Sequence, residues 1–276
     1  MFGSRARRRK RILAEPFPPA WERYLEDNVA FVRRLDGAQQ QRLRELIQVF
    51  VAEKTWEGCG GLELTEEMQV TVAAQACLLV LGTNEHFLDD VASILVYPTT
   101  VWAPPRRLGT FEQPRAPVSH GRTLLGEAWL GGPVVLAWDR VLADGREEGP
   151  GNLVFHELAH KLDMATGAID GTPPLPSRAE RKRWGEVCTV AYTRHRRLVE
   201  AGLPTLMDPY GATNEAEFFA VATEMYFTQP AELAHEHPAL YRLLRDFYRV
   251  ALPPPPPPPP APPLPDDGSI ASRFFH

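Results

Sequence analysis

The amino-acid sequence predicts an α+β fold that is mostly helical and carries a small mixed sheet. Two stretches with apolar residues at helical spacing come first, over residues 21–35 and 38–54. Short apolar runs typical of strands follow, and from Asn152 onward the pattern is helical again. Helices, then strands, then helices along one chain indicate the α+β class.

The individual elements are bounded by residues with known end preferences. Thr65 is a good N-cap and predicts a helix through Leu81, after the run Glu57 to Gly61 has interrupted the preceding pattern. Strands are predicted over 92–97, 124–129 and 134–138. The last two are separated by Gly131-Gly132-Pro133, which predicts a hairpin. A long loop is predicted over 167–176.

Composition divides the chain of 276 residues into three regions. Residues 1–19 are rich in arginine and predict a basic flexible arm. Residues 20–250 contain nearly all of the periodic apolar sequence and predict the folded domain. Residues 251–276 include eight consecutive prolines and predict an extended, disordered polyproline tail. That tail is either unbound or a ligand for a proline-binding groove.

Charge and cysteine content restrict the class of protein. The net charge of −5 does not favour direct nucleic-acid binding by the whole molecule. The basic run Arg5 to Arg11 is either a solvated terminus or a contact for anionic lipid or nucleic acid. No apolar run reaches the roughly 20 residues needed to span a bilayer. Three cysteines in no metal-binding or paired pattern favour reduced thiols and a cytoplasmic location.

The strongest chemical signal is the run His156-Glu157-Leu158-Ala159-His160. Residues four apart on a helix lie on the same face, so both imidazoles can reach one Zn²⁺ ion. Glu157 points about 100° away from His156 and is placed to take a proton from a water at the metal. The competing interpretation is two surface histidines, but their apolar neighbours would then bury unpaired polar groups at a cost in free energy.

A catalytic zinc site needs a third protein ligand, and it is predicted in the segment Asn214 to Glu224. Thr213 or Asn214 can cap a helix there. Glu217 and Glu224 share one helical stripe, whereas Glu215 points away and is predicted to be solvated. Glu217 is the expected ligand, and Glu224 the expected partner of a ligand imidazole. The weaker candidates lie in charged stretches expected to be exposed: His195, His235 and His237.

Four segments of the chain resemble the Mlc titration factor A family of zinc peptidases, which is related to the catalytic domain of anthrax lethal factor. They are E-G-C-G-G-L-E at 57–63, A-A-Q-A-C-L-L at 73–79, H-E-L-A-H-K-L-D-M at 156–164 and N-E-A-E-F-F-A-V at 214–221. The resemblance implies a gluzincin-type fold with one zinc ion held by His156, His160 and Glu217 and with Glu157 as base. It also implies that Tyr210 stabilises the transition state; by the residues alone, Tyr210 is equally a loop anchor.

The same resemblance implies the function and the partners. It implies a cytoplasmic peptidase of aminopeptidase type, acting on a peptide or protein substrate through water activated by the metal. The enterobacterial members also bind a transcriptional repressor of the Mlc type, but that role does not carry over with the motif, because no residues for the contact are identifiable here. The alternative is a non-catalytic binding protein that sequesters a regulator and retains the zinc site.

Overall fold

The computed structural model describes residues 2–83, 88–99, 132–147 and 149–250. Helices dominate these residues, and their strands form one small three-stranded sheet, which confirms the predicted mostly helical α+β fold. The strand predicted over 124–129, and with it the predicted hairpin, lies outside the described residues. So does the polyproline tail over 251–276.

The first part of the chain is built from four helices. They are α1 (Phe2–Ile12), α2 (Pro19–Asn28), α3 (Gly37–Glu53) and α4 (Glu66–Leu78), with a 3-10 turn (Ala30–Arg34) between α2 and α3. The helix predicted over 21–35 therefore divides into α2 and the 3-10 turn. Thr65 caps α4 as predicted, its hydroxyl accepting the N–H of Met68.

The prediction of a flexible arm over residues 1–19 differs from the structure, because most of these residues form helix α1. Arg5 and Arg9 on this helix form ion pairs with Glu53 at the end of α3 and with Asp89. A basic run gives no local sign of such pairing, since both acidic partners lie more than 40 residues further along the chain.

The sheet contains β1 (Thr55–Gly58), β2 (Ser93–Tyr97) and β3 (Val134–Ala137) in that order. Both pairings are parallel, with Trp56 opposite Ile94 and Ile94 opposite Val134. The described sheet is thus parallel and not mixed as predicted. Strand β1 was not predicted, because it has only four residues, each exposed or half-buried, and therefore lacks an apolar signature.

Among the described residues after β3, the chain forms six helices. They are α5 (Trp138–Arg146), α6 (Leu153–Met164), α7 (Arg178–Glu200), α8 (Glu215–Thr228), α9 (Pro230–Glu236) and α10 (Pro238–Tyr248). A 3-10 turn (Pro209–Ala212) precedes α8. Trp138, predicted to end a strand, begins α5 instead. Within the described ranges, no helix is both long and apolar enough to cross a membrane.

In the core, helix α6 contacts strand β3 of the sheet and packs against α8. Phe155 on α6 packs its ring between those of Phe31 and Phe227, at centroid distances of 5.3 and 5.1 Å. Val154, Leu158 and other apolar neighbours of the two histidines are fully buried. The helix with the candidate metal ligands is therefore held on several sides by close packing.

Candidate metal centre

Helix α6 begins at a buried polar junction. The side chain of Asn152 accepts the N–H of Phe155 as an N-cap, and its amide donates to Gln75 at 2.7 Å. Asp144 accepts the N–H of Leu153 at 2.9 Å. These bonds satisfy N–H groups that have no partner inside the helix, and they fix where α6 starts.

The two histidines project from one face of α6, as their spacing predicts. Nε2 of His156 lies 3.2 Å from Nε2 of His160, and the ring centroids are 4.9 Å apart. Both rings are largely shielded from solvent. The pair turns its Nε2 atoms toward α8.

Glu217 reaches the same point from the first turn of α8. Its Oε2 lies 3.1 Å from Nε2 of His156 and 3.3 Å from Nε2 of His160. Asn214 caps this helix by accepting the N–H of Glu217. Glu215, two residues earlier, is exposed. Of these two carboxylates, the structure therefore brings only Glu217, the expected ligand, to the histidines.

The three converging atoms fit a single zinc ion. Tetrahedral bonds of 2.0–2.1 Å separate neighbouring ligand atoms by about 3.3–3.4 Å, close to the 3.1–3.3 Å distances observed. Two imidazoles and one carboxylate are also one of the ligand sets of catalytic zinc. Among the described residues these three form a group able to hold a metal ion.

Glu224 lies on the other side of the His156 ring. Its Oε1 accepts the Nδ1–H of His156 at 2.7 Å, while its Oε2 accepts the backbone N–H of Asn152 at 2.7 Å. A neutral His156 that donates from Nδ1 presents a lone pair at Nε2. That lone pair faces the carboxylate of Glu217 at 3.1 Å, an arrangement that suits a cation shared by the two groups.

The pKa values of the site residues respond to the same arrangement. Burial by itself lowers the pKa of His156, but its contacts with Glu217 and Glu224 outweigh burial and raise the pKa well above its usual range. For Glu217, burial by itself raises the pKa, and hydrogen bonds from His156 and His160 outweigh it and lower the pKa far below its usual range. The electrostatics of the site thus favour a bound positive charge.

Glu157 is buried beside this cluster, with 1% of its surface exposed. Its Oε2 makes no hydrogen bond to the described residues. Burial raises the pKa of Glu157, against the opposing effect of the charges at His156 and His160. A buried carboxylate oxygen without a protein partner is available for a proton from a reacting group.

Tyr210 approaches Glu217 from the 3-10 turn before α8. Its hydroxyl donates to Oε1 of Glu217 at 2.9 Å, and its ring stacks on that of His156 with centroids 5.9 Å apart. The structure therefore brings together all five residues expected from the sequence: His156, Glu157, His160, Tyr210 and Glu217.

One sequence expectation about the weaker candidates is wrong. His195 was expected to be exposed but is buried, with 2% of its surface accessible, because α7 lays this side chain on the turn that carries Tyr210. His235 is exposed, as expected, and His237 is half-buried. None of the three belongs to the metal-binding group found among the described residues.

Two buried polar residues that hold the end of α6 were not predicted from the sequence. Asp163 is fully buried and accepts the N–H groups of Gly171 and Thr172, tying the end of α6 to the following loop. Lys161 is buried too and donates to the carbonyl of Gly132 at 2.7 Å. The available signal was a charged residue on each side of Leu162, in a helix whose other polar residues are the candidate site residues His156, Glu157 and His160.

The fold and the candidate site define a protein of the metallopeptidase type. The sequence model of the Glucose-regulated metallo-peptidase M90 family matches residues 4–249, and the chain belongs to this family. The match runs from within α1 to the end of α10 and so includes most of the predicted arm.

Individual relatives agree with this assignment and confirm the resemblance seen in the sequence. Proteins named Mlc titration factor A, from Klebsiella pneumoniae and Serratia proteamaculans, are 32% identical over 233 residues and 33% identical over 219 residues. The alignments cover 83% and 78% of this chain and 85% and 81% of the relatives. A protein of Synechocystis sp., named as uncharacterized, is 37% identical over 243 residues, with 87% of each chain covered.

Proposed function

We propose that this protein is a zinc-dependent peptidase with His156, His160 and Glu217 as metal ligands and Glu157 as general base. The observation that carries the proposal is the convergence of three ligand atoms, 3.1–3.3 Å from one another, beside a buried carboxylate. Membership of a metallopeptidase family supports it. Three protein ligands leave a fourth position open, as catalytic zinc requires.

In the proposed reaction, zinc supplies a Lewis acid next to the scissile carbonyl. Glu157 takes a proton from the attacking water and later delivers it to the leaving amine. The raised pKa of Glu157 suits a carboxyl group that must hold the proton between these two transfers. Because Glu157 is buried, it is shielded from bulk solvent, and its interaction with nearby charges is stronger.

Tyr210 has two roles in the proposal. Its hydroxyl orients Glu217 by donating to Oε1, the oxygen that does not face the histidines. During the reaction the hydroxyl turns from Glu217 toward the substrate and donates to the oxyanion that forms. The interpretation of Tyr210 as a simple loop anchor is less favoured, because its hydroxyl contacts a proposed ligand.

We also propose the type of cleavage, the location in the cell and the extent of the peptidase domain. Aminopeptidase-type cleavage is proposed from the family resemblance, and it predicts that free N-terminal substrates are cleaved faster than blocked ones. A cytoplasmic location is proposed because Cys59, Cys77 and Cys188 are all free thiols. The predicted boundaries of the peptidase domain, 20–250, are extended in the proposal to include α1, which is ion-paired to α3.

The decisive test combines metal analysis with an activity assay. Purified protein is expected to contain about one zinc per chain by mass spectrometry. It should hydrolyse chromogenic amino-acid or peptide substrates, lose this activity to a chelator, and regain it when zinc is added. A zinc-loaded protein that cleaves nothing in a broad peptide library would contradict the proposal.

A second candidate function is binding of a transcriptional repressor of the Mlc type. The observation that favours it is the name shared by several relatives, Mlc titration factor A. It needs no catalysis, so a Glu157→Gln variant should bind such a repressor as well as the wild type does. Calorimetry with a purified Mlc-type repressor tests this function, and absence of binding by the wild type would contradict it.

A further inference from the structure

Helix α7 contacts the turn that carries Tyr210 through two side chains, Tyr192 and His195. Residues three apart lie on the same face of a helix. The hydroxyl of Tyr192 donates to the carbonyl of Ala212 at 3.4 Å, and Nε2 of His195 lies 3.1 Å from the carbonyl oxygen of Asp208. These two carbonyls stand at opposite ends of the turn, so α7 holds the turn at both ends.

His195 is exceptional on this helix. Among the residues of α7, only Trp184, Ala191 and His195 are buried, and the arginines beside His195 are exposed. Burial lowers the pKa of His195, which keeps the ring neutral. Because a carbonyl oxygen can only accept, the proton of the neutral ring sits on Nε2 and points at Asp208.

Gly211 allows the turn to lie this close. A Cβ atom at this position would meet Cβ of Val221 at 3.3 Å and Nε2 of His195 at 3.5 Å. The turn is therefore confined between α7 on one side and α8 on the other. Little space remains for Tyr210 to shift while the contact with His195 is intact.

A continuous series of contacts leads from this histidine to the candidate metal ligands. Oδ1 of Asp208 accepts the N–H of Tyr210 at 2.7 Å. The hydroxyl of Tyr210 donates to Oε1 of Glu217 at 2.9 Å, and Oε2 of Glu217 faces both histidines of α6. Every step except the last is a hydrogen bond with a defined donor.

We propose that His195 is a positioning residue of the metal centre: by holding the Asp208 carbonyl it sets the place of Tyr210, and through Tyr210 the orientation of Glu217. The inference rests on the proposed function, in which Glu217 binds the metal and Tyr210 assists the reaction. His195 itself is not part of the metal-binding group found among the described residues, so its effect on the centre is indirect. A histidine that only filled space would have no effect specific to Tyr210.

The test is a double-mutant cycle between His195 and Tyr210, measured as zinc affinity against a competing chelator. His195→Leu removes the donor and puts an apolar side chain of similar size in its place. His195→Gln places an amide N–H near the position of Nε2 and serves as the conservative rescue. His235→Leu is the matched control, because this histidine is exposed on α9. Thermal unfolding of each metal-free variant reports on the fold separately.

His195→Leu is expected to weaken zinc binding about tenfold, the lower end of the range for residues that orient metal ligands. It should lower kcat more than it changes KM, because the position of the Tyr210 hydroxyl matters most in the transition state. His195→Gln should restore most of both losses, and His235→Leu should behave as the wild type. In a Tyr210→Phe background, His195→Leu should cause little further loss of zinc affinity, since the hydroxyl it positions is gone.

Equal losses of zinc affinity from His195→Leu in the wild-type and Tyr210→Phe backgrounds would overturn the inference. A His195→Gln variant as impaired as His195→Leu would overturn it too. Failure of the proposed function has a different signature: zinc binding depends on His195 and Tyr210 as described, yet no variant hydrolyses any peptide. That result supports the positioning role and contradicts the peptidase.

Discussion

Oε1 of Glu224 lies 2.7 Å from Nδ1 of His156, on the side of the ring opposite Glu217. The other oxygen of Glu224 holds the N-terminus of α6 through Asn152. One carboxylate thus fixes both the start of the helix and the orientation of its first candidate ligand. Such an outer partner makes Nε2 a better metal ligand, because it fixes the tautomer and raises the basicity of the ring.

Glu157→Gln should retain zinc and lose most peptidase activity. The amide keeps the shape of the side chain but cannot accept the proton, and loss of a general base typically lowers the rate about 10²–10⁴-fold. Initial rates and zinc content of the same preparations give the answer. Glu215→Gln is the control, since Glu215 is exposed on α8 and should leave both quantities unchanged. Wild-type turnover by the zinc-loaded Glu157→Gln protein would remove Glu157 from the mechanism.

The three carboxylates of α8 should rank clearly in zinc affinity. Glu217→Ala removes a ligand and should weaken binding most. Glu224→Ala removes the partner of His156 and should weaken binding about 10–100-fold. Glu215→Ala should remain near the wild type, because its exposed side chain is not part of the metal-binding group. Equilibrium dialysis against a chelator ranks the variants, and a zinc-poor Glu215→Ala protein would refute the assignment of Glu217.

Two glycines after α6 should respond differently to alanine. Gly167 and Gly171 both have positive φ, at 84° and 74°, so either substitution strains the backbone by roughly 1–2 kcal/mol. Around Gly167 the space for a Cβ is open, whereas at Gly171 a Cβ would collide with the carbonyl oxygen of Glu215. Gly171→Ala should therefore lower the free energy of unfolding by roughly 1–3 kcal/mol more than Gly167→Ala.

Urea unfolding of the two alanine variants measures this difference. Gly171 also donates to Asp163 and accepts from Trp184, so its displacement should move the loop that contacts the start of α8. Weaker zinc binding is expected for Gly171→Ala alone. Equal destabilisation of both variants would show that the loop relaxes around the added methyl group at no cost.

Lys54→Met should change how stability depends on pH. Burial lowers the pKa of Lys54 to about 8, while Asp89 and Glu53 oppose the shift. Between pH 8 and 10.5 the unfolded chain binds more protons at this residue than the folded protein, so Lys54 makes stability rise with pH in that range. The free energy of unfolding of Lys54→Met, relative to that of the wild type, should therefore fall by roughly 1–3 kcal/mol from about pH 7.5 to about pH 10.

Chemical denaturation of both proteins at the two pH values tests this expectation. The difference between the proteins cancels the contribution of other groups that titrate in the same range. Lys10→Met is a suitable control, because Lys10 is exposed on α1. A difference between wild type and Lys54→Met that stays constant with pH would show that the Lys54 ammonium is not desolvated.

Sequence alone determined the features that depend on neighbours within one or two helical turns. The four-residue spacing of His156 and His160 places both imidazoles on one face of any helix that contains them. The same reasoning separated Glu217 and Glu224 from Glu215, because a cap at Asn214 sets the register of α8. The mostly helical α+β fold also followed from local periodicity, although α1, β1 and α5 were not predicted.

Only the tertiary structure decided which distant residues meet. Asn152 and Glu224 are 72 residues apart, and no local pattern connects them. His195 looked exposed because its sequence neighbours are charged, yet packing of α7 on the turn before α8 buries it. The parallel pairing of β1 with β2 likewise joins segments that are distant in the sequence, and the four exposed or half-buried residues of β1 carry no apolar signal for it. Contacts across the chain depend on the packing of whole elements, and periodicity within one element cannot encode them.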